Sequence, residues 1–340
     1  MKQRILVLGS DGFIGRRVVA ALAATDWAVP IASGRRPSSS LSGDSVSRLQ
    51  LDATDSGALG RALDQAAGVV NCVTGTPETI ERSAGALFSA AGRMVQPPII
   101  VHFSSMAVYG SVVGEIDESA PLRGDIGPYS EAKVAAERLA VAYPRTVILR
   151  PGIVYGPRSA LWSDDIGRLL LARRLGDLGP DGLGSCNLVF VDDVAAAVLG
   201  ALRSADALGQ ALNLSASPVP TWNEYFHRYA EALGALPVRR VGRLRLQFEL
   251  IAIGPAIKLA QLVASGPASG SAGLPPPIRP WLLRQCRHRI LVRAQRAESL
   301  LGMRWTPLSD GLGVTAQWLL ARYGTHVVAG GPAEHHREGS

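Results

Sequence analysis

A tyrosine and a lysine stand four positions apart, at Tyr129 and Lys133, in a segment predicted to be helical. Residues with this spacing share one face of a helix, which brings the phenol close to the ammonium. A neighbouring ammonium favours the phenolate and so lowers the pKa of the tyrosine toward working pH. Such a tyrosine is suited to donate or accept the proton of a carbonyl or an alcohol. The alternative interpretation is an ordinary pair on a helix surface.

Two adjacent serines, Ser104 and Ser105, stand at the end of a predicted strand that begins at Ile99. The carboxyl ends of parallel strands are where doubly wound folds place their active sites. A hydroxyl at this edge can hydrogen-bond a substrate oxygen and help to stabilise developing charge. Serine after a strand is common, so this feature gains meaning only together with the tyrosine and the lysine.

Three glycines, Gly9, Gly12 and Gly15, follow the predicted strand Ile5–Leu8 and open a predicted helix. In that setting, glycines allow a tight turn, close approach of the backbone to a pyrophosphate, and close packing of helix on strand. The helix N-terminus then offers free N–H groups to the phosphates. The pattern predicts a dinucleotide site, against the alternative of a merely structural turn. The predicted contacts in this turn are Gly9, Gly12, Phe13, Ile14 and Gly15.

The end of the second predicted strand bears on which dinucleotide is bound. This stretch reads Ser33-Gly34-Arg35-Arg36 and contains no acidic residue. A carboxylate at this place accepts hydrogen bonds from the ribose 2′-OH of NAD, whereas arginine binds the 2′-phosphate of NADP. We therefore predict that Ser33, Arg35 and Arg36 contact NADP(H), with NAD(H) as the alternative cofactor. Arg35 and Arg36 could instead be an exposed loop pair.

Strand-like and helix-like segments alternate through the first 110 residues and continue less regularly to about residue 214. This alternation predicts an α/β fold with a parallel sheet covered on both faces, which is a doubly wound or Rossmann sheet. After Pro218 the alternation stops, which predicts a smaller C-terminal substrate domain. We expect a cofactor-binding domain at residues 1–157 plus 187–217, a substrate domain at 158–186 plus 218–324, and a flexible tail at 325–340.

Composition limits the class of protein. The chain has 340 residues, a net charge of +7, 47% hydrophobic and 19% charged residues, which is typical of a folded globular protein. Three cysteines without a CxxC pair argue against a disulfide framework or a zinc site, and favour a reducing, cytoplasmic compartment. No secretory leader or apolar run of membrane-spanning length is visible, so we expect no integral membrane span.

The positive charge is unevenly distributed. Its excess falls entirely in residues 221–340, which argues against general nucleic-acid binding. A local anionic ligand or an acidic surface remains open beside a solvated arginine-rich face. An apolar segment at Leu244–Val263 could line a substrate pocket, touch a membrane, or form a helical hairpin packed on the second domain.

Five ordered motifs together resemble the extended short-chain dehydrogenase/reductases, often labelled the NAD-dependent epimerase/dehydratase family. The resemblance covers residues 1 to about 215 and, more weakly, Arg296–Leu312, and its motifs are specific for the superfamily but not for a substrate. The matching stretches are Gly9-x-x-Gly12-x-x-Gly15, Ser104–Gly110, Tyr129-x-x-x-Lys133, Leu149–Pro157 and Phe190–Ala195.

The resemblance implies a role for each matching residue. Tyr129 would be the catalytic acid and base, Lys133 would hold the nicotinamide ribose and tune Tyr129, and Ser105 would orient the substrate oxygen. Asp52 would contact the adenine, and Pro151 would lie near the nicotinamide amide. No metal is implied, the partner would be a small-molecule substrate, and members of the family often form a homodimer.

The sequence departs from the family where substrates are chosen. Dehydratases carry an acidic pair after the catalytic Ser or Thr, whereas this chain has Met106 and Ala107, which have no proton to give. An asparagine common in nucleotide-sugar enzymes is missing from residues 152–154. These absences favour an NADP-dependent oxidoreductase that interconverts a carbonyl and a secondary alcohol. The alternatives are a nucleotide-sugar epimerase with tightly bound NAD(P) and a non-catalytic NADP-binding scaffold.

Overall fold

The computed structural model describes residues 2–36, 46–257 and 276–324. They divide into two compact units. The first holds the described residues of 1–154, 187–219 and 289–306, and the second those of 155–186, 220–288 and 307–340. Residues 289–306 therefore lie in the first unit, although the sequence placed them in the substrate domain. The predicted tail at 325–340 lies outside the described residues.

The strands are short and the helices mostly of two to four turns. The strands are β1 Gln3–Leu8, β2 Ala28–Gly34, β3 Ser47–Gln50, β4 Gly68–Asn71, β5 Ile99–Phe103, β6 Gly114–Ile116, β7 Thr146–Pro151, β8 Ile153–Tyr155, β9 Leu188–Phe190, β10 Ala211–Leu214 and β11 Ile290–Val292. The helices are α1 Phe13–Ala23, α2 Ser56–Leu63, α3 Pro77–Ala91, α4 Pro128–Val141, α5 Ile166–Leu171, α6 Val191–Arg203, α7 Trp222–Ala232, α8 Arg243–Phe248, α9 Pro280–Arg287, α10 Gln295–Leu301 and α11 Leu308–Tyr323.

The first unit is built on a seven-stranded sheet with the order β10-β7-β5-β4-β1-β2-β3. Every neighbouring pair is parallel. The strand order reverses between β1 and β4, which is the switch point where doubly wound sheets bind ligands at their carboxyl ends. The predicted doubly wound α/β fold is confirmed.

The core lies on both faces of this sheet. The central strands carry continuous apolar runs, and Leu6, Val70 and Ile100 are fully buried. Such runs are expected where helices cover both faces of a parallel sheet. Helices α2, α3 and α4 pack side by side, and α1 packs against α6. The rigid sheet thus holds the loops at its carboxyl edge.

Two short strand pairs lie outside the main sheet. β9 pairs with β8 and does not extend the large sheet. β11 pairs in parallel with β6, and Gly114 N–H donates to Arg289 O at 2.7 Å. Asn187 Nδ2 donates to Ile290 O at 2.8 Å. These long-range bonds place residues 289–306 in the first unit.

The second unit has an aromatic core centred on α7. Trp222, Tyr225, Phe226 and Tyr229 of this helix are fully buried. The helix begins at a capping box. The Thr221 hydroxyl accepts the backbone N–H of Glu224, and the Glu224 carboxylate accepts the backbone N–H of Thr221. Within the part of the chain that the structure describes, no helix is long and apolar enough to cross a membrane.

Candidate active site

The glycine turn joins β1 to α1. Gly9 has φ +72°, a conformation that favours glycine, and a Cβ on Gly15 would clash with the Gly9 carbonyl. Gly12 is the N-cap of α1 and supplies no side-chain cap, and the first turn holds no acidic residue. Open backbone N–H groups at an uncapped helix start are what a pyrophosphate requires. Phe13 and Ile14, both half-buried, begin the helix, so the predicted turn fits a dinucleotide.

Ser33 has a structural contact in addition to its predicted place at the cofactor. It is buried at the end of β2, and its hydroxyl donates to Val7 O at 3.0 Å. The Ser10 hydroxyl in turn donates to Ser33 O at 2.9 Å. These bonds tie the glycine turn to β1 and β2. The Ser33 hydroxyl is therefore engaged with the protein itself.

The edge beyond β2 carries charges of both signs. Arg35 and Arg36 are exposed, as a ligand contact requires. Arg48 of β3 adds a third guanidinium, and its Nη2 lies 3.5 Å from Asp11 Oδ1. A Cβ on Gly34 would clash with the Asp11 carboxylate, so this acid stands at the end of β2. Sequence reasoning missed Asp11 because it comes from the glycine turn and not from β2.

Asp52 lies after β3, near the same edge. Its Oδ1 accepts the Thr54 N–H at 2.9 Å and the Thr54 hydroxyl at 2.8 Å. These bonds lower the pKa of Asp52, with a smaller contribution from the charge of Arg35. The carboxylate is therefore held ionised and oriented at the place that the family resemblance assigns to adenine contact.

Ser105 and Tyr129 meet at the carboxyl edge of the sheet. Ser105 follows β5 and caps a 3-10 turn, Met106–Tyr109, through a bond from Ala107 N–H to its hydroxyl at 3.2 Å. Tyr129 lies in the first turn of α4, with Ser105 close enough to its phenol to lower the pKa of that group. Tyr129 is 43% exposed as a residue, although the protein around its hydroxyl desolvates that group.

Lys133 lies one turn further along α4 and is buried. Its Nζ donates to Phe103 O at 2.8 Å and lies 5.9 Å from the centroid of the Tyr129 ring. Burial lowers the pKa of Lys133 to about 8, partly countered by the nearby Cys72 and Glu137. Lys133 thus lies on the same side of α4 as Tyr129, as the spacing predicts, and Ser105 lies beside Tyr129.

The expected effect of the lysine on the tyrosine is not found in this structure. The pKa of Tyr129 is raised above its ordinary value because burial penalises the phenolate, and the nearby Ser105 side chain only partly counters this. Lys133 directs its ammonium to the Phe103 carbonyl instead of the phenol oxygen. The prediction of a lowered tyrosine pKa is therefore wrong for the protein as described.

A buried polar network lies directly behind these residues. Glu137 of α4 forms an ion pair with Arg150 of β7, and the Ser104 hydroxyl donates to the same carboxylate. Arg150 also donates to the Tyr109 hydroxyl at 2.8 Å, which donates to Asn213 Oδ1 at 2.6 Å. Sequence reasoning missed Glu137, although its place four residues after Lys133 puts it on the same helix face.

Two further titratable groups face Lys133. The pKa of the Cys72 thiol is raised to about 12, and that of His102 is lowered to about 3, in both cases mainly by burial. His102 is 3% exposed and is therefore a core residue, and its Nδ1 lies 3.2 Å from Asn71 Nδ2. Both groups are therefore neutral near pH 7.

Pro151 is the buried last residue of β7, where it precedes a bond from Gly152 N–H to Leu214 O at 2.9 Å. A Cβ on Gly152 would clash with the Asn187 carbonyl, so the backbone segments at Gly152 and Asn187 lie close together.

Among the described residues, no group of three or more potential ligands could hold a metal ion.

Solved structures show the same fold at low sequence identity. A putative epimerase from Burkholderia cenocepacia J2315 matches with a TM-score of 0.73 and 18% identity, over 94% of this chain and 98% of that chain. UDP-glucuronic acid 4-epimerase from Bacillus cereus, in complex with UDP-glucuronic acid and NAD, matches at 0.71 and 18%, over 94% and 100%. A dTDP-glucose 4,6-dehydratase from Bacillus anthracis in complex with NAD matches at 0.71 and 18%, over 94% and 97%.

Comparison at the level of sequence identifies the family. No curated protein sequence matches the chain significantly. The profile of the NAD dependent epimerase/dehydratase family matches residues 5–215, which is more than half of the chain and includes the glycine turn, Ser105, Tyr129 and Lys133. The chain therefore belongs to the NAD-dependent epimerase/dehydratase family of extended short-chain dehydrogenase/reductases, and is an NAD(P)-dependent enzyme of that type.

Proposed function

We propose that the chain interconverts a carbonyl and a secondary alcohol on a small-molecule substrate, with NADP(H) as cofactor. The observation that carries this proposal is that Ser105 lies beside the phenol of Tyr129, with Lys133 Nζ 5.9 Å from the centroid of the Tyr129 ring. A bound nicotinamide would supply or accept the hydride. The protein's part is to hold the substrate oxygen and to move one proton at the Tyr129 oxygen.

Each residue of this group has a distinct part in the proposal. Ser105 orients the substrate oxygen toward the phenol of Tyr129. Tyr129 stays protonated at neutral pH because its pKa is raised, which suits the reduction direction, where the phenol donates its proton. Lys133 would hold the nicotinamide ribose, which is the part that the family resemblance implies for it.

Met106 and Ala107 carry no titratable group, which supports redox chemistry without loss of water. The preference for NADP(H) rests on Arg35 and Arg36, which are exposed beyond β2 and can bind a 2′-phosphate. Asp11 at the same edge opposes a phosphate, while Arg48, 3.5 Å away, offsets that charge. The excess of guanidinium groups over carboxylates at this edge favours NADP(H), the cofactor that carries a 2′-phosphate.

A second candidate function is epimerisation of a nucleotide sugar. It is favoured by the matched epimerases, one of which holds UDP-glucuronic acid and NAD. The same three residues would serve, because such a reaction oxidises and then reduces one carbon. Epimerisation predicts a change of substrate configuration without net consumption of NADPH.

Replacing Tyr129 with Phe tests the site. Ketones, secondary alcohols and nucleotide sugars are incubated with the wild type, and NADPH absorbance and product configuration are followed. We expect Tyr129→Phe to lower turnover about 100-fold or more with little change in cofactor affinity, because only the proton-carrying hydroxyl is lost.

Tyr143→Phe is the matched control, because its hydroxyl bonds Pro98 O away from the site. Near-full activity of Tyr129→Phe would overturn the assignment. Product of inverted configuration at constant NADPH would select the epimerase over the net oxidoreductase.

A further inference from the structure

A row of large apolar side chains is exposed on one helical segment of the second unit. Residues 243–257 are helical without a break. Leu244, Phe248 and Ile251 are 83%, 61% and 77% exposed, and the exposed Ala252 and Pro255 follow on the same face. These positions recur at intervals of three and four, so they form one stripe along the helix. We call residues 244, 248, 251, 252 and 255 the apolar stripe.

The opposite face of the same helix fixes the orientation of the stripe. Leu246 and Glu249 are buried there, and Glu249 forms an ion pair with the buried Arg174. Arg174 also donates to Pro276 O at 3.1 Å. Rotating the helix to bury the apolar stripe would separate Glu249 from Arg174 and leave two charged groups without partners, which is strongly unfavourable. The exposure of the stripe is therefore built into the unit.

Positive charge surrounds the start of this helix. Arg239, Arg240, Arg243 and Arg245 are all exposed, and the one acidic residue between positions 236 and 257 is the buried Glu249. Arginines in the first turn of a helix are disfavoured by the helix dipole. Arg243 has an internal partner, Asp181, which it shares with Arg287. The guanidinium groups thus outnumber the acids beside the apolar stripe.

We propose that this helix binds the surface of an anionic lipid bilayer, with the apolar stripe inserted at the level of the headgroups. An exposed apolar face next to arginines is the combination that places a helix in a membrane interface. The arginines would lie on lipid phosphates, which supply the negative charge that the helix lacks. This inference does not depend on the proposed reaction.

A second copy of the chain is the less favourable occupant. In a symmetric dimer the same patch faces itself, so the arginines at the start of one helix add to those of the other in one interface. Like charges brought together in this way repel, whereas an anionic bilayer neutralises them. The charge distribution therefore favours lipid.

Vesicle flotation with the full chain tests the proposal. We expect the wild type to float with vesicles in which about a third of the lipid is phosphatidylglycerol and the rest phosphatidylcholine. Replacing Phe248 and Ile251 with Gln should weaken binding about tenfold or more, because both side chains lose their place in the interface. Replacing Arg239 and Arg245 with Gln should weaken it about fivefold per arginine at low salt.

Matched controls separate the helix from general surface effects. Val141→Gln removes a side chain that is 68% exposed on α4, and Arg138→Gln removes an exposed charge on the same helix. Both should bind vesicles like the wild type. Circular dichroism melts of every variant should match the wild type, because the replaced side chains are exposed.

Three results would overturn the proposal. One is a wild type that stays unbound at low salt, and another is equal binding to vesicles of phosphatidylcholine alone. The third is a wild-type dimer, seen by sedimentation velocity without lipid, that the Phe248 and Ile251 replacements convert to a monomer while vesicle binding is absent. That last result would assign the apolar stripe to a second copy.

Discussion

At the scale of single residues, Lys133 meets two opposing demands. A positive charge is useful beside Tyr129, but the ammonium is buried and bonded to one backbone carbonyl. Burial of the ammonium lowers the pKa of Lys133 to about 8. The charge is therefore held at a cost to stability.

Replacing Lys133 with Met should raise the stability of the protein while it abolishes turnover. A folded-state pKa of about 8 against 10.5 means that unfolding takes up a proton between these values, so the lysine's contribution becomes more favourable as pH rises through that window. At pH 7 the penalty is present, and we expect the free energy of unfolding to increase by about 1–3 kcal/mol in Lys133→Met. Urea titration of the wild type and of Lys133→Met at pH 7 and at pH 10 measures this difference in the free energy of unfolding.

The exposed Lys2 is the control, since Lys2→Met should change stability little at either pH. Other groups also titrate between pH 8 and 10.5, so the difference between wild type and Lys133→Met is the relevant quantity. The prediction would be contradicted if Lys133→Met gained equal stability over the wild type at both pH values, or if it were less stable than the wild type at pH 7.

At the scale of elements, α4 presents three functional positions on one face. Tyr129, Lys133 and Glu137 follow each other at intervals of four. The helix begins after Gly127 with Pro128 in its first turn, and the Ser130 hydroxyl donates to Ala107 O at 2.6 Å. This bond joins the start of α4 to the turn that carries Ser105. One helix thus holds the candidate proton donor and the buried charge behind it.

Removing the charge of Glu137 should destabilise the first unit strongly. Glu137→Gln leaves the Arg150 guanidinium buried without its carboxylate, and such a loss costs about 3–5 kcal/mol. Urea unfolding of the full chain measures the change. The double variant Glu137→Leu with Arg150→Met should recover part of the loss, because apolar side chains tolerate the same burial.

The surface pair Arg82–Glu78 is the matched control, and Glu78→Gln should cost less than about 1 kcal/mol. If Glu137→Gln proved as mild as this control, the network would contribute little to the stability of the sheet edge. A double variant less stable than the single one would argue that the charges themselves are required.

At the scale of the whole molecule, the two units differ in what they would bind. The glycine turn, Asp52 and the arginines beyond β2 all lie in the first unit. A ligand held there stabilises the folded chain by mass action, by about 2.7 kcal/mol at one hundred times its Kd. Thermal stability with added cofactor is therefore a measure of cofactor preference that needs no substrate.

We expect NADPH to raise the melting temperature more than NADH at equal concentration. Replacing Arg35 and Arg36 with Ala should abolish most of this difference, because their guanidinium groups would bind the 2′-phosphate. The exposed Arg93, which bonds Ser89 on α3, provides a control for loss of surface charge. Stronger stabilisation by NADH would refute the NADP(H) preference and leave Asp11 as the residue that decides it.

The sequence by itself determined the features that depend on local spacing. The glycine turn, the alternation of strands and helices, and the pairing of Tyr129 with Lys133 follow from the periods of the helix and the strand. These patterns predicted the doubly wound sheet and brought Ser105, Tyr129 and Lys133 together. Their catalytic parts remain a prediction.

Only the tertiary structure decided the features that depend on burial and on distant partners. The Tyr109–Asn213 bond joins residues 104 positions apart, and β6 pairs with β11 across a still longer interval. The pKa of Tyr129 is raised by the surroundings of its phenol, although spacing alone predicted the opposite. Desolvation and long-range pairing depend on how elements pack in space, and no local pattern in the chain encodes them.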